Sequence, residues 1–127
     1  MTIQNNKLKD NYKEEFYQRL IKFSLSVISF CNDLRKDHNF WSMADQLIRS
    51  ATSIGANIIE AKSCGSKLDY IRYFQIALKS ANETKYWLIL IKESDLKFKV
   101  KAEKLLDEAE QIARIIGAGI LTMKGKR

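Results

Sequence analysis

His38 is the single histidine of the sequence, and Cys31 and Cys64 are its two cysteines. These are the residues from which metal or nucleophilic chemistry would first be built. A di-iron site inside a helical bundle needs Glu-x-x-His pairs on two helices, but Arg35 stands three residues before His38. Structural zinc needs ligands in closely spaced pairs, which Cys31, His38 and Cys64 do not form. A serine or cysteine nucleophile needs a base within hydrogen-bond reach, oriented by a third group. His38 follows Cys31 by seven residues, and nothing around them marks a cleft. Gly117-Ala118-Gly119 lies inside an apolar helical stripe and matches neither a P-loop nor a dinucleotide fingerprint. The expectation is a protein without catalytic residues, metal or cofactor, hence not an enzyme.

The charged residues are more informative. Twenty-two Lys and Arg face fifteen Asp and Glu, 22 − 15 = +7, and such a balance favours polyanionic partners. Arg72, Lys79, Lys85 and Lys92 are spaced by seven, six and seven residues, which suggests one face of a helix. Lys97, Lys99, Lys101 and Lys104 cluster where another helix should begin. Cations there oppose the helix dipole, a local disadvantage that suits anion binding or a solvated face. Lys124, Lys126 and Arg127 form a basic tail. The candidate nucleic-acid-binding set is therefore Arg72, Lys79, Lys85, Lys97, Lys101, Lys104, Lys124, Lys126 and Arg127. Tyr70, Tyr73, Tyr86 and Trp87 are interleaved with these bases and are read either as stacking groups for nucleobases or as core. One polar stripe also stands out: Asp45, Arg49, Ser53 and Asn57 follow at steps of four, with Glu60 three further on. Asp45 and Arg49 are placed to pair along the helix, or Arg49 and Glu60 to pair across a helix–helix contact.

The elements that position these groups follow from periodicity. The chain has no proline and five glycines, so long unkinked helices are permitted. Phe16, Leu20, Phe23, Val27, Phe30 and Leu34 recur at helical spacing. So do Leu47, Ala51, Ile54 and Ile58, then Ile71, Phe74, Leu78, Ala81, Leu88 and Ile91, then Ala102, Leu105, Ala109, Ile112, Ile116 and Ile120. The spacing predicts helices over about 12–36, 41–63, 67–93 and 97–123. Asn39 or Ser42 is the expected cap of the second, Ser66 that of the third, and Gly65 a left-handed stop between them. Short connections predict a single all-α domain, an antiparallel up-down-up-down four-helix bundle spanning 1–127, with residues 1–10 as a polar lead-in that includes Lys7 and Lys9.

The first helix bears a second apolar row, Tyr17, Ile21, Leu25 and Ile28, and the third adds Tyr73, Ile76, Tyr86 and Trp87 outside its main stripe. One small core cannot hide all of these, which predicts self-association. No stretch approaches the roughly 20 apolar residues of a membrane span, and the polar start lacks a signal-peptide pattern. A cytoplasmic protein without a membrane partner is expected.

Two blocks carry a resemblance. Residues 45–60, Asp-Gln-Leu-Ile-Arg-Ser-Ala-Thr-Ser-Ile-Gly-Ala-Asn-Ile-Ile-Glu, resemble the signature of the four-helix proteins encoded in intervening sequences of bacterial 23S ribosomal RNA genes, approximately Q-L-x-R-A/S-A-x-S-I-x-A-N-I-A-E-G. Residues 70–83, Tyr-Ile-Arg-Tyr-Phe-Gln-Ile-Ala-Leu-Lys-Ser-Ala-Asn-Glu, are similar to the second family block, approximately F-x-x-F-L-x-I-A-x-G-S-x-x-E. The resemblance runs from about Tyr17 to Leu121, with Arg49, Ser53, Asn57 and Glu60 as signature residues. Ala61 and Lys79 replace family glycines; the second adds a cation, which favours a solvent- or ligand-facing position. The resemblance implies a homo-oligomer, a pentameric ring of bundles, without enzyme activity. The family is also similar to accessory proteins of diversity-generating retroelements, basic barrels that bind nucleic acid and a reverse transcriptase. Two functional expectations follow: a weakly selective binder of RNA or RNA/DNA through phosphate contacts, or a protein-interaction scaffold that recruits a partner such as a reverse transcriptase.

Overall fold

The computed structural model describes residues 3–125, with side chains from Asp10 onward. Four helices make up the fold: α1 (Ile3–Leu34), α2 (Trp41–Ala61), α3 (Lys67–Ser94) and α4 (Lys99–Met123). There is no strand among the described residues. Helix α1 begins at Ile3, well before the expected position 12, so residues 3–10 of the polar lead-in are helical backbone. The stretch contains neither glycine nor proline to stop propagation from the amphipathic segment that follows.

Helices α2 and α4 are each entered through a single 3₁₀ turn, His38–Phe40 and Leu96–Phe98. The carboxylate of Asp37 accepts the backbone N–H of Asn39 at 3.0 Å, and that of Asp95 accepts the N–H of Lys97 at 2.9 Å. The expected caps Asn39 and Ser42 are therefore not used: Phe40 holds the N-cap position of α2, and its side chain makes no capping bond. An aspartate one turn earlier satisfies the backbone instead. Ser66 caps α3 as expected, accepting the N–H of Asp69 at 3.1 Å. Gly65 does not take the left-handed conformation; the α2 end closes through Ser63 N–H to Glu60 O (3.0 Å) and Cys64 N–H to Ala61 O (3.4 Å). Gly125, at φ 72°, is the left-handed residue and follows the end of α4.

The apolar stripes meet in one core. Leu20, Val27 and Leu34 of α1, Leu47, Ile54 and Ile58 of α2, Leu88 and Ile91 of α3, and Ile112 and Ile116 of α4 are almost wholly buried. Each such side chain contributes roughly 1.5–3 kcal/mol through removal from water. Helix α1 packs on α2, α2 on α3, and α3 on α4; α4 touches α1 only sparingly. At one end the 3₁₀ turns join through Phe40 and Phe98, edge to face with centroids 5.1 Å apart, and Phe30 adds a second edge contact at 6.0 Å. At the other end Tyr70 stacks on Phe74 at 4.9 Å. Cys31 is fully buried, and burial pushes its thiol up to about 11. No helix among the described residues is long and apolar enough to cross a membrane.

Candidate nucleic-acid interface

The expected cations do not form one patch. Lys97, Lys101 and Lys104 lie at the end built by the two 3₁₀ turns, whereas Arg72 and Lys124 lie toward the end marked by Tyr70 and Phe74. From Arg72 to Lys97 the chain climbs roughly 30 Å of helix, several times the roughly 8 Å over which exposed charges act at physiological salt. Lys126 and Arg127 lie outside the described residues.

Lys85 does not share a face with Lys79. The six-residue step turns it about 120° around the helix, and the structure leaves Lys79 exposed while half-burying Lys85 and Lys92. Arg72 is exposed and 3.8 Å from Asp69. The interleaved aromatics are also divided: Tyr70 and Tyr73 are half-buried, and Tyr86 is exposed with its ring edge against half-buried Trp87.

At the 3₁₀ end the four aspartates are engaged within the chain. Asp33 on α1 accepts Lys101 Nζ at 2.9 Å and Lys36 Nζ at 3.5 Å, and the hydrogen bond from Lys101 holds its carboxyl below the usual range. Asp45 is bound by Arg35 at 2.8 Å, and Asp37 and Asp95 hold backbone N–H groups. Lys97, Lys99 and Lys104 are exposed and make no ion pair among the described residues, although the Lys97 ammonium sits 5.0 Å from the Phe98 ring centroid. Glu93 and Glu103 are exposed at the same end, so these lysines stand out as unpaired cations rather than as a patch of one sign.

Sequence reasoning weighed His38 only as a metal ligand or base and passed over Trp41. Trp41 is 52 % exposed, its Nε1 donates to the Arg35 carbonyl at 2.8 Å, and its ring centroid lies 4.5 Å from that of His38. The available signal was an aromatic three residues after a histidine, in the connection that precedes the basic end.

Between α1 and α4 runs a groove of about 820 Å³, floored by Phe23, Phe30 and Leu105 and edged by Ser26 and Ser29. The Arg19 guanidinium spans it to Glu108 at 2.7 and 2.8 Å and to Gln111 at 2.7 Å. Its cations, Arg19, Lys22, Lys101 and Lys104, are matched by Glu15, Asp33, Asp107 and Glu108. It is not a channel for a polyanion. Among the described residues no group of His, Cys, Asp and Glu is arranged to hold a metal ion.

A family profile described as 23S rRNA-intervening sequence protein matches residues 12–118. The chain belongs to this family. It is also similar to a crystal structure of a protein of unknown function from the S23 ribosomal protein family of Bacteroides thetaiotaomicron, at 31 % identity and a TM-score of 0.78, covering 83 % of this chain and 97 % of that one. No curated protein matches the chain.

The signature residues lie along α2, and one of them, Ser53, bonds across to α3 while Asn57 bonds back to it. Ser53 Oγ accepts Ser80 Oγ–H at 3.2 Å and Asn57 Nδ2–H at 3.1 Å. One turn away, the buried Thr84 hydroxyl lies 2.9 Å from Ser50 Oγ and 2.8 Å from Ser80 O. Arg49 and Glu60 are exposed and form no ion pair among the described residues. Neither expected pairing is made: Asp45 turns to Arg35 rather than Arg49, because the α1–α2 connection brings a guanidinium closer.

Proposed function

We propose that this protein is a non-catalytic, basic bundle that self-assembles and holds nucleic acid through phosphate contacts with little sequence selectivity. The observation behind the reading is the 3₁₀ end, where the aspartates are engaged within the chain and Lys97 and Lys99 are exposed without an ion pair among the described residues. Lysines on a convex surface contact phosphates, and phosphates carry no sequence information. We read the helices as antiparallel. In support, Arg19 pairs with Glu108 while Asp33, further along α1, pairs with Lys101, further back along α4.

Self-association is supported by apolar side chains left in water. Ile21, Leu25 and Ile59 surround an apolar groove of about 250 Å³ between α1 and α2, and Ile76 and Tyr86 are exposed on α3. A contact between two different faces of neighbouring copies is heterologous, and it closes into a ring where the rotation permits. The stoichiometry proposed is the pentamer of the resemblance, with a formal charge of 5 × 7 = +35, and the location proposed is the cytoplasm.

The test is a titration with mixed-sequence RNA and RNA/DNA at about 50 and 200 mM salt. Affinity should fall steeply between the two, and Lys97→Glu with Lys99→Glu should weaken binding and flatten that dependence. A monomeric mass by light scattering at micromolar concentration rejects the assembly. The second reading, an accessory scaffold that recruits a protein such as a reverse transcriptase, is favoured by Leu96 and Val100, 82 % and 79 % exposed beside the lysines. Absence of RNA binding at low salt leaves that reading in place.

A further inference from the structure

Two features of the α1–α2 connection remain without a role in packing or phosphate contact: Trp41 and His38. Trp41 opens α2 with about half of its surface in water, 52 %. A solvated indole on a mobile surface loses rotamer freedom when it binds anything, but this one is already anchored. Its Nε1–H is used by the Arg35 carbonyl at 2.8 Å, and the His38 ring rests against it at 4.5 Å, tilted by 58°. Anchoring the polar edge leaves the π surface as the unsatisfied part of the side chain. The other aromatics of this end are spent: Phe40 and Phe98 are 5 % exposed and pack on one another.

The surroundings select the guest. Lys36 follows the anchoring Arg35 and is exposed. Through the Phe40–Phe98 contact the same end presents Lys97 and Lys99, which make no ion pair among the described residues. The nearby carboxylates of Asp33, Asp37, Asp45 and Asp95 are each engaged by a cation or a backbone N–H. A flat, pre-positioned aromatic surface beside outward cations matches a guest with a π face and a neighbouring anion. That combination is an unpaired nucleotide: its base stacks while the adjoining phosphates meet lysine.

We propose that Trp41, supported by His38, is a stacking platform for an unpaired nucleobase, so that this end distinguishes single-stranded from fully paired nucleic acid. The proposal rests on the phosphate-binding reading above and adds to it the form of the ligand. Duplex bases are stacked on one another and present only edges in the grooves, so a duplex can use the lysines but not the indole. Sequence selectivity stays low, because every base has a π face.

The experiment uses the full chain and the Trp87→Phe background, which leaves Trp41 as the sole indole of the two in the sequence. Trp87 Nε1 has no hydrogen-bond partner, so that replacement breaks no bond. A single-stranded RNA of mixed sequence and a blunt RNA duplex of the same length are titrated at low salt. The single strand should quench Trp41 emission and the duplex should not. Trp41→Ala should weaken single-strand binding about tenfold with less than about a twofold effect on the duplex, Trp41→Phe should keep most of the affinity, and His38→Ala should cost less than Trp41→Ala. Binding that leaves Trp41 emission unchanged, or equal losses for strand and duplex in Trp41→Ala, overturns the platform while the phosphate reading stands. Failure of the parent protein to bind either RNA overturns both. If Trp41→Ala does not fold, the quenching and the Trp41→Phe affinity decide the question by themselves.

Discussion

The α2–α3 contact and the α1–α4 seam show two ways of joining helices in one small bundle. At α2–α3 the meeting residues are short: Ser50 and Ser53 face Ser80 and Thr84, and buried Ala77 and Ala81 lie on the same helix as the latter pair. Short side chains let backbones approach, and each buried hydroxyl then needs a partner, which the other helix supplies. At α1–α4 the facing residues are long and charged, so the helices meet through two ion-pair spans above a groove of about 820 Å³. The first contact excludes water and specifies register; the second keeps solvent in and tolerates change. Side-chain length, rather than hydrophobicity alone, decides which kind of joint forms.

The comparison breaks most decisively at buried alanine. Ala77→Leu adds three carbons where nothing is exposed and should lower unfolding stability by about 2–3 kcal/mol in urea titration. Ser29→Leu, on the open seam, should stay within about 0.5 kcal/mol. Equal effects would show that the two joints are packed alike.

Thr84→Val keeps the shape but removes the hydroxyl that bridges Ser50 and Ser80. A loss of about 1 kcal/mol is expected, independent of salt. Arg19→Met removes the partly exposed pair with Glu108, and its cost should be at most about 1 kcal/mol at low salt and shrink toward zero near 1 M. The contrast in salt dependence is read from melting curves in parallel.

The smallest effect concerns Asp33, whose carboxyl is held below the usual range by Lys101 and then Lys36. A lowered folded-state value contributes stability above the ordinary carboxylate range and loses it as pH falls through the folded value. Asp33→Asn should therefore remove a small stabilisation at neutral pH and change nothing below the folded value, which flattens the stability–pH curve between the two.

Much of the fold was legible because helix periodicity is local. The stripes containing Leu20, Val27 and Leu34, or Ile112 and Ile116, lie on the core faces of α1 and α4, and helix ends mostly fell within a few residues of expectation. Ser66 could be read as a cap from its neighbours, whereas the caps entering α2 and α4 depend on 3₁₀ turns that the pattern does not signal. The candidate site was less legible. Lys85 was grouped with Lys79 on spacing, yet a six-residue step leaves the face. Ser53 looked like a member of a solvated stripe, and only a second helix bearing Ser80 makes it part of a helix–helix contact.

The sequence by itself determined four helices, their apolar faces, the excess of seven positive charges and, through two signature blocks, the family. Those properties depend on residues within a few turns of one another, or on simple sums. Tertiary structure decided which charges remain outward and which aromatics keep an open face. Asp33 and Lys101 are 68 residues apart, Arg19 and Glu108 are 89, and Trp41 shares its end of the bundle with Lys97 only because Phe40 meets Phe98. Coulombic pairing and burial depend on distance in space, and in a four-helix chain the nearest neighbours in space are often distant in sequence.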